Sequence, residues 1–316
     1  MAGRAGPRPT FRAAPVRVQV PATSANLGPG FDSFGLALQL YDFVGAQVAD
    51  AGLHVDVAGE GADEVPRDKR HLVVQAMHAT FDLLGGRPRG LEVTCANRIP
   101  HGRGLGSSSA AIVAGILAAR ELVLGGNERL PDDAMLRLAA TIEGHPDNVA
   151  ACLRGGFTIA WSHDDEFGRV SEAVRLDVHS DVVPVAFVPE NKASTAKVRK
   201  LLPASVPHHD AAANAGRAGL LVHALTKRPD LLLAATADAL HQQYRSPAMP
   251  RSAALVERLR AAGIPAVISG AGPTVLAFAS KRAKNADDVA GLTTGWFRPL
   301  MLSVDPAGAQ VVTPAQ

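Results

Sequence analysis

A stretch of glycine and serine residues near the middle of the chain has the composition of an anion-binding loop. It consists of Pro100, His101, Gly102, Arg103, Gly104, Leu105, Gly106, Ser107, Ser108, Ser109 and Ala110. Glycine allows positive φ and close approach of the backbone to a ligand, so consecutive amide groups can surround an anion. An apolar run at 110–124 follows and predicts a buried helix, whose unpaired N-terminal N–H groups and dipole favour phosphate. We therefore expect this loop to bind a phosphorylated cofactor, with the serine hydroxyls on phosphate oxygens or on a metal ion.

This loop differs from two better-known phosphate-binding patterns. No lysine follows its last glycine, as G-x-x-x-x-G-K-[ST] requires, and its glycines do not have the spacing G-x-G-x-x-G. The alternative is a flexible turn in which a serine caps the following helix. Three glycines and three serines before a wholly apolar helix favour phosphate binding over a simple turn.

Other polar side chains suited to binding or catalysis fall in separate segments of the chain. They lie at 21–32, 143–148, 195–199, 245 and 269–274. The guanidinium groups of Arg199 and Arg245 can hold a carboxylate through two parallel hydrogen bonds. Taken alone, each segment also has a plainer interpretation. The arginines would be surface charges, Glu143 a solvated helix end, 145–148 an Asx-turn and 269–274 a hairpin.

The pattern of apolar residues predicts the elements that position these segments. Alternation at 16–20 predicts a first strand that Pro21 ends, and helical spacing at 71–84 and 131–143 predicts two further helices. Strands and helices mix without a regular βαβ rhythm, so the expected fold class is α+β. The polar stretch at 162–168 marks the predicted boundary between two modules.

The composition argues against several classes of protein. The 316 residues are 47% hydrophobic, which is enough for one large domain or for two modules with their own cores. A net charge of +2 and an aromatic content of 4% give no basic, aromatic-rich surface for nucleic acid. No apolar run approaches the roughly 18 residues that span a membrane, so no membrane partner is expected. Cys95 and Cys152 alone cannot form a disulfide framework, which fits a reducing cytoplasm.

The chain start and the remaining histidines carry no predicted chemistry. Residues 1–14 lack the apolar core of a signal peptide and are expected to form a disordered tail. His208, His209, His223 and His241 are expected on helix surfaces or at helix caps. None of them forms a pair typical of a zinc site.

Three segments together resemble the signature blocks of the GHMP kinase superfamily. The first, at 21–32, reads PATSANLGPGFD; the second, at 100–110, resembles P-x-x-x-G-L-G-S-S-A; the third, at 268–274, reads ISGAGPT. They occur in the expected order, and together they span almost the whole chain apart from the tail. Within the superfamily, the first block and the run HPDNVA at 145–150, followed by GGF at 155–157, resemble the homoserine kinases.

The resemblance implies ATP-dependent phosphorylation of L-homoserine on a two-module α+β fold. It implies an N-terminal ATP-binding domain at 15–165 and a ferredoxin-like C-terminal domain at 166–316, with the active site between them. Mg²⁺ would be held by Ser108 and Glu143. Substrate would contact Asn26, Asp32, His145, Asp147, Thr195, Arg199, Arg245, Gly270 and Gly272. Catalytic roles would fall to Asp147, Asn148 and Ser108. The resemblance also suggests a homodimer.

Two alternative functions stay open at this point. One is a kinase for another small alcohol, such as mevalonate or a sugar; the other is a catalytically silent nucleotide-binding protein on the same fold. The block at 21–32 and the segment at 195–199 favour an amino-acid acceptor. The presence of Ser108, Glu143 and Asp147 favours catalysis, because a protein that only binds nucleotide has no need of a magnesium site. Whether Asp147 acts as a base or only positions substrate is also open.

Overall fold

The computed structural model describes residues 9–166, 168–192, 195–292 and 295–312. Its strands form two separate sheets. The strands are β1 (Val16–Ala25), β2 (Phe34–Ala49), β3 (Gly52–Gly59), β4 (Gly90–Asn97), β5 (Phe157–Asp165), β6 (Gly168–Leu176), β7 (Val182–Pro189), β8 (Ala266–Ile268), β9 (Val275–Ser280), β10 (Phe297–Met301) and β11 (Gln310–Val311).

The helices pack against these sheets and form most of the connections between strands. They are α1 (Leu72–Leu83), α2 (Ser107–Leu122), α3 (Gly126–Arg129), α4 (Asp132–Glu143), α5 (Asp147–Arg154), α6 (Thr195–Arg199), α7 (His208–Thr226), α8 (Leu232–Ala235), α9 (Gln242–Arg245), α10 (Pro250–Ala261) and α11 (Ala286–Gly291). None of these helices is both long and apolar enough to cross a membrane.

The larger sheet has the strand order β11-β1-β2-β4-β3, and the hairpin β5–β6 joins it through β2. The strand predicted to end at Pro21 continues to Ala25, so this prediction was wrong. The register between β1 and β2 shifts between Pro21 and Ala22. Such an irregularity tolerates a residue that has no backbone N–H to donate. The bulge lets one strand extend from the core to the polar block at 21–32.

Helix α2 is the central core helix of the larger module. Its apolar residues are buried on nearly every side, as the sequence predicts, and it packs against α1, β1 and β2. Gly115 allows α1 to approach closely, because a Cβ there would lie 2.4 Å from the carbonyl oxygen of Val73. The helix begins at Ser107 rather than Ala110. The three serines of the loop therefore form its first turn.

The smaller sheet has the order β10-β7-β9-β8 and is antiparallel. The α+β class with two modules is thus confirmed. The domain boundary predicted at 165/166 falls in the turn between β5 and β6, which pair along their whole length in the larger sheet. Near its C-terminus the chain returns to that sheet, where β11 pairs with β1. The division at 165/166 stays a prediction.

Part of the predicted disordered tail is integrated into the fold. Residues 1–8 lie outside the described residues. The ring of Phe11 packs edge-on against Phe81 of α1, with 5.7 Å between centroids, and the Arg12 N–H donates to the carbonyl of Leu122. The chain is therefore held against the larger module at 10–12, where Phe11 covers part of α1.

A buried hydrogen bond fixes the returning C-terminal segment. The Tyr41 hydroxyl donates to Asp305 Oδ2 at 2.6 Å, and Asp305 is almost fully buried. Replacing Tyr41 with Phe leaves one buried carboxylate oxygen without this donor. We expect Tyr41→Phe to lower the free energy of unfolding by about 1–3 kcal/mol in urea denaturation. The hydroxyl of the chain's other tyrosine, Tyr244, makes no hydrogen bond within the described residues. Tyr244→Phe is therefore the matched control. Equal stability of both variants would contradict the interpretation.

Candidate active site

The glycines of the phosphate loop, defined here as residues 100–106, adopt left-handed backbone conformations. The φ angles are 66° at Gly102, 81° at Gly104 and 72° at Gly106, which is the residue immediately before α2. An L-residue with a Cβ would be strained at each position. The three glycines therefore shape the path of the loop between β4 and the N-terminus of α2.

Residues distant in sequence donate hydrogen bonds to the carbonyl oxygens of the phosphate loop. The carbonyl of Arg103 accepts from the N–H of Thr274 at 3.1 Å, and that of Leu105 accepts from the N–H of Thr23 at 3.0 Å. The carbonyl of Gly104 accepts from the Ser269 hydroxyl at 2.5 Å. In contrast, the amides of 104–108 donate to no acceptor in the described part of the chain. The loop thus leaves its donors, and not its acceptors, for an anion.

The turn at 269–274 packs directly on this loop. A Cβ on Gly104 would lie 2.3 Å from the carbonyl oxygen of Ser269 and 3.0 Å from that of Gly272. The N–H of Gly270 also donates to the carbonyl of Ala25, at the end of β1, at 3.0 Å. The turn from the smaller module therefore forms one wall of a cavity whose other wall is the phosphate loop.

Glu143 lies opposite the first turn of α2. Its Oε1 accepts hydrogen bonds from the hydroxyls of Ser108 at 2.6 Å and Ser109 at 2.9 Å. Glu143 is the last residue of α4, and Gly144 turns the chain at φ 93°. This turn brings Glu143 and His145 to the same cavity although only one residue separates them. Carboxylate and hydroxyl oxygens are the ligands that Mg²⁺ prefers. Among the described residues, no group of three or more His, Cys, Asp or Glu side chains could hold a metal ion.

His145 and Asp147 form a hydrogen-bonded pair at the start of α5. The Nδ1 of His145 lies 2.7 Å from Oδ1 of Asp147, which is only 2% exposed. This hydrogen bond raises the pKa of His145, although burial acts in the opposite direction. Asn148 donates its N–H to the same Oδ1, and its side-chain oxygen accepts from the Thr23 hydroxyl at 2.8 Å. These contacts fix the 145–148 segment against β1.

An acidic and a cationic side chain, Asp32 and Arg199, also line this cavity and contact each other. Asn26 accepts from the Asp32 N–H at 3.0 Å and donates its side-chain amide to the carbonyl of Gly270 at 2.9 Å. The carboxylate of Asp32 pairs with the guanidinium of Arg199, near the end of α6. That guanidinium lies 5.6 Å from the ring centroid of Phe31, a cation–π distance. The segment carrying Asn26 and Asp32 is thus held by both modules.

Arg245 is a buried cation beside this pair. It is 3% exposed, and its guanidinium lies 5.1 Å from the ring centroid of Phe31. Its Nη1 donates to the carbonyl of Gly270 and to Nδ1 of His241, both at 3.3 Å. Its Nε is buried and has no acceptor in the described residues. Burial lowers the pKa of Arg245. His241 occupies the N-cap position of α9, one of the two placements expected for it, but its side chain makes no capping hydrogen bond and is fully buried.

Comparison with known proteins identifies the family. Residues 71–156 match the family described as GHMP kinases N terminal domain, and residues 220–292 match GHMP kinases C terminal. A curated homoserine kinase of Streptomyces avermitilis is 63% identical over 304 residues, covering 96% of this chain and 98% of that protein. This chain belongs to the homoserine kinase family of the GHMP kinases. The resemblance predicted from the sequence blocks is confirmed.

Further relatives and solved structures agree with this assignment. A homoserine kinase of Clavibacter michiganensis is 52% identical, covering 94% of this chain and 93% of that protein. The structure titled putative homoserine kinase from Listeria monocytogenes superposes with a TM-score of 0.75 and 31% identity, over 95% of this chain and 100% of that one. A homoserine kinase from Cytophaga hutchinsonii gives a TM-score of 0.81 at 26% identity, over 96% and 98% of the two chains.

In this GHMP kinase most of the predicted site residues line one cavity, here called the transfer cavity. They are Asn26, Asp32, Gly102, Gly104, Gly106, Ser107, Ser108, Glu143, His145, Asp147, Asn148, Arg199, Arg245, Gly270 and Gly272. Thr195 is the first residue of α6. Pro100, Arg103, Leu105 and Ser109 do not line the cavity. Leu105 is buried in the core, and Arg103 directs its guanidinium to the carbonyls of Pro189 and Glu190.

A second, mainly apolar cavity lies beside the first and was missed by sequence reasoning. It shares Ser107 and Ser108 with the transfer cavity, and His101 and Ala110 also line it. The rest of its lining is Val20, Asp42, Val44, Val65, Pro66, Arg70, His71, Leu72, Val73, Asn97, Ala111 and Ala114. We call it the base cavity. Its lining comes from many separate segments, and no motif in the sequence marks them as neighbours.

Two polar side chains that line the base cavity, Asp42 and His71, are buried. The Nδ1 of His71 is buried without a partner in the described residues, and burial lowers the pKa of this histidine. Burial raises the pKa of Asp42 to about 6 even though its Oδ1 accepts the N–H groups of Arg98 and Ile99. Mainly apolar walls with a few placed polar groups are typical of a small-molecule site.

The pair of His145 and Asp147 predicts a pH-dependent stability. The Asp147 hydrogen bond holds the pKa of folded His145 above its usual 6.5. A raised folded-state pKa means that the pair stabilises the fold most below the unfolded pKa, and that this contribution is lost as pH rises through the folded pKa. We expect Asp147→Asn to lower the pKa of His145 in NMR titrations. Asp147→Asn should also reduce stability more at about pH 5.5 than at about pH 9.

His101 provides the internal control for this titration. Burial lowers its pKa, and Asp147 is not among the charges that act on it. Its titration should be the same in both proteins. An unchanged His145 titration in Asp147→Asn would contradict the hydrogen bond.

Proposed function

We propose that this chain transfers the γ-phosphoryl group of ATP to the side-chain hydroxyl of L-homoserine. The acceptor oxygen forms a bond to the γ-phosphorus, the bond between that phosphorus and the β–γ bridging oxygen breaks, and the hydroxyl proton is released. The products are ADP and O-phospho-L-homoserine, a step of threonine biosynthesis. One observation carries the proposal. A phosphate loop and a carboxylate with two arginines, Asp32, Arg199 and Arg245, line the same cavity.

The nucleotide is proposed to extend across both cavities. Its phosphates would lie at the N-terminus of α2, where amides of 104–108 have no acceptor in the described chain and the helix dipole favours negative charge. Its base would occupy the base cavity, which joins the transfer cavity at Ser107 and Ser108. This arrangement directs the γ-phosphoryl group toward the acceptor side.

A magnesium ion fits the oxygen ligands at the start of α2. The hydroxyl of Ser108 and the carboxylate of Glu143 are in direct contact, so one cation could be held by both. A site with few protein ligands is typical of Mg²⁺ that is also bound by nucleotide phosphates. When bound, the ion neutralises the charge on the phosphate oxygens. Ser109 holds Glu143 in place by a second hydrogen bond.

The acceptor end of the cavity suits an amino-acid zwitterion. Asp32 and Arg199 pair with each other, so each is already oriented toward an opposite charge. An α-ammonium group can replace Arg199 beside Asp32, while the α-carboxylate takes Arg199 and Arg245. The ammonium and carboxylate groups of the ligand thereby replace the contact between Asp32 and Arg199 that they separate. Mevalonate and sugars have no ammonium group, which is why this acceptor end favours an amino acid over them.

Asp147 is assigned to the acceptor hydroxyl. Its Oδ1 is occupied by His145 and by the N–H of Asn148, while Oδ2 makes no hydrogen bond within the described residues. That oxygen can accept a hydrogen bond from the hydroxyl and orient it toward the γ-phosphorus. Because phosphoryl transfer has a loose transition state, positioning and charge stabilisation supply most of the rate. We therefore propose a positioning role for Asp147, with Asn148 fixing its segment.

Two further expectations, on cellular location and on oligomeric state, belong with this proposal. As with other enzymes of amino-acid biosynthesis, we propose that the chain acts in the cytoplasm. We also propose a homodimer, which multi-angle light scattering of the purified chain can measure directly.

The function is tested with the purified chain, Mg-ATP and separate acceptors. L-homoserine should support ADP release and give a new phosphomonoester signal in ³¹P NMR, while mevalonate, galactose and L-serine should be much poorer. Turnover with another acceptor and none with homoserine would reject the proposed substrate. ATP binding without turnover on any acceptor would support the silent nucleotide-binding alternative.

Removal of either proposed magnesium ligand should impair turnover. We expect Ser108→Ala and Glu143→Gln each to lower kcat about 100-fold, as for loss of one group that stabilises transition-state charge. Higher Mg²⁺ concentrations should partly restore the rate if the defect is in metal binding. Glu172→Gln on β6 removes a carboxylate outside both cavities and is the control. Near-normal kcat in Ser108→Ala and Glu143→Gln would remove the assignment.

A further inference from the structure

His241 connects the acceptor-binding segment to the buried arginine. Its side chain is 0% exposed and lies between the 26–32 segment and α9. Its Nε2 is 2.8 Å from the carbonyl oxygen of Gly28, and its Nδ1 is 3.3 Å from Nη1 of Arg245. Its ring stacks on Phe31 with centroids 5.1 Å apart and an angle of 27°. One side chain therefore contacts both parts of the acceptor site.

These contacts determine the protonation state of the ring. The guanidinium of Arg245 can only donate, so Nδ1 of His241 must accept. The carbonyl of Gly28 can only accept, so Nε2 must carry the hydrogen. The ring is therefore neutral, and burial lowers its pKa, as does Arg245. Asp238, whose carboxylate lies 3.7 Å from Nε2, and Asp32 act in the opposite direction.

The same contacts leave one edge of the Arg245 guanidinium without a protein partner. Both of its hydrogen bonds, to His241 and to the carbonyl of Gly270, are made by Nη1. Nε is buried and has no acceptor in the described chain. Nη2 also makes no hydrogen bond to any described residue. Nε is also out of reach of solvent, so Nη2 is the nitrogen left to bind a carboxylate. Because the guanidinium is planar and rigid, holding Nη1 fixes the direction of Nη2.

We propose that His241 is a positioning residue for the acceptor, one that acts through Arg245. It holds the guanidinium so that Nη2 is directed toward the acceptor carboxylate, and it ties this orientation to the 26–32 segment through the carbonyl of Gly28. The ring of Phe31 supports both the histidine and the guanidinium. This inference rests on the proposed function, because it assumes a carboxylate-bearing acceptor such as L-homoserine.

Two substitutions separate the hydrogen bond from the packing. His241→Phe keeps a ring against Phe31 but removes the acceptor at Nδ1 and the donor at Nε2. His241→Asn loses the ring but can place its side-chain oxygen close to the Nδ1 position. We expect His241→Phe to raise the KM for L-homoserine about 10-fold or more, because a hydrogen bond to a charged group is lost. The KM for ATP and kcat should stay within about two-fold, and His241→Asn should recover part of the loss.

A double-mutant cycle tests whether the effect passes through Arg245. Isothermal titration with L-homoserine would be measured for the wild type, His241→Phe, Arg245→Ala and the double variant. If the histidine acts through the arginine, His241→Phe should weaken binding in the wild type but add little in Arg245→Ala. Equal effects in both backgrounds would overturn the proposal.

Loss of stability has to be distinguished from loss of positioning. Leu225→Ala in α7 removes buried apolar volume outside both cavities and is the control for general destabilisation. If it changes the two KM values and kcat in the same pattern as His241→Phe, the positioning role is rejected. If the wild type neither binds nor phosphorylates L-homoserine, the proposed function fails. If it does both and His241→Phe behaves as wild type, only the role of His241 fails.

Discussion

The carbonyl oxygens of the phosphate loop are the constraint on which the site depends. Residues from the start of the chain and from the turn at 269–274 donate to the carbonyls of 103–105, and the Ser269 hydroxyl donates to Gly104 while contacting the Ser24 hydroxyl at 2.8 Å. A loop with free carbonyls would present negative as well as positive dipoles to a phosphate. Because the acceptors are occupied, the donors dominate the field at the N-terminus of α2. The same bonds hold the two modules together.

Acidic and basic side chains line the transfer cavity in places that suit the proposed phosphoryl transfer. Glu143 lies beside the first turn of α2, where a divalent cation can offset its charge. Arg199 and Arg245 lie at the proposed acceptor end, and the guanidinium of each lies within cation–π distance of the Phe31 ring. Asp147 lies among the residues that line the space between them.

The sequence predicted the local features of the site better than its long-range contacts. The glycine pattern at 102–106 predicted positive φ, and the signature blocks predicted the family. The strand break at Pro21 was wrong because a bulge, set by pairing with β2, absorbs the missing donor. The base cavity was missed because its walls are distant in sequence. The cap position expected for His241 is found, but its burial was not predicted, because it depends on tertiary contacts with Gly28 and Phe31 that no periodicity records.

The return of the chain to its first sheet has a consequence for biosynthesis. Strand β1 forms near the N-terminus, but its neighbour β11 lies at Gln310–Val311, and the Asp305 N–H donates to the carbonyl of Ala37. A ribosome therefore has to synthesise the residues between β1 and β11 before the larger module can be completed. During translation, the edge of β1 that β11 later covers has no partner from this sheet. A nascent chain with such an edge is a natural client for chaperones that shield unpaired strands.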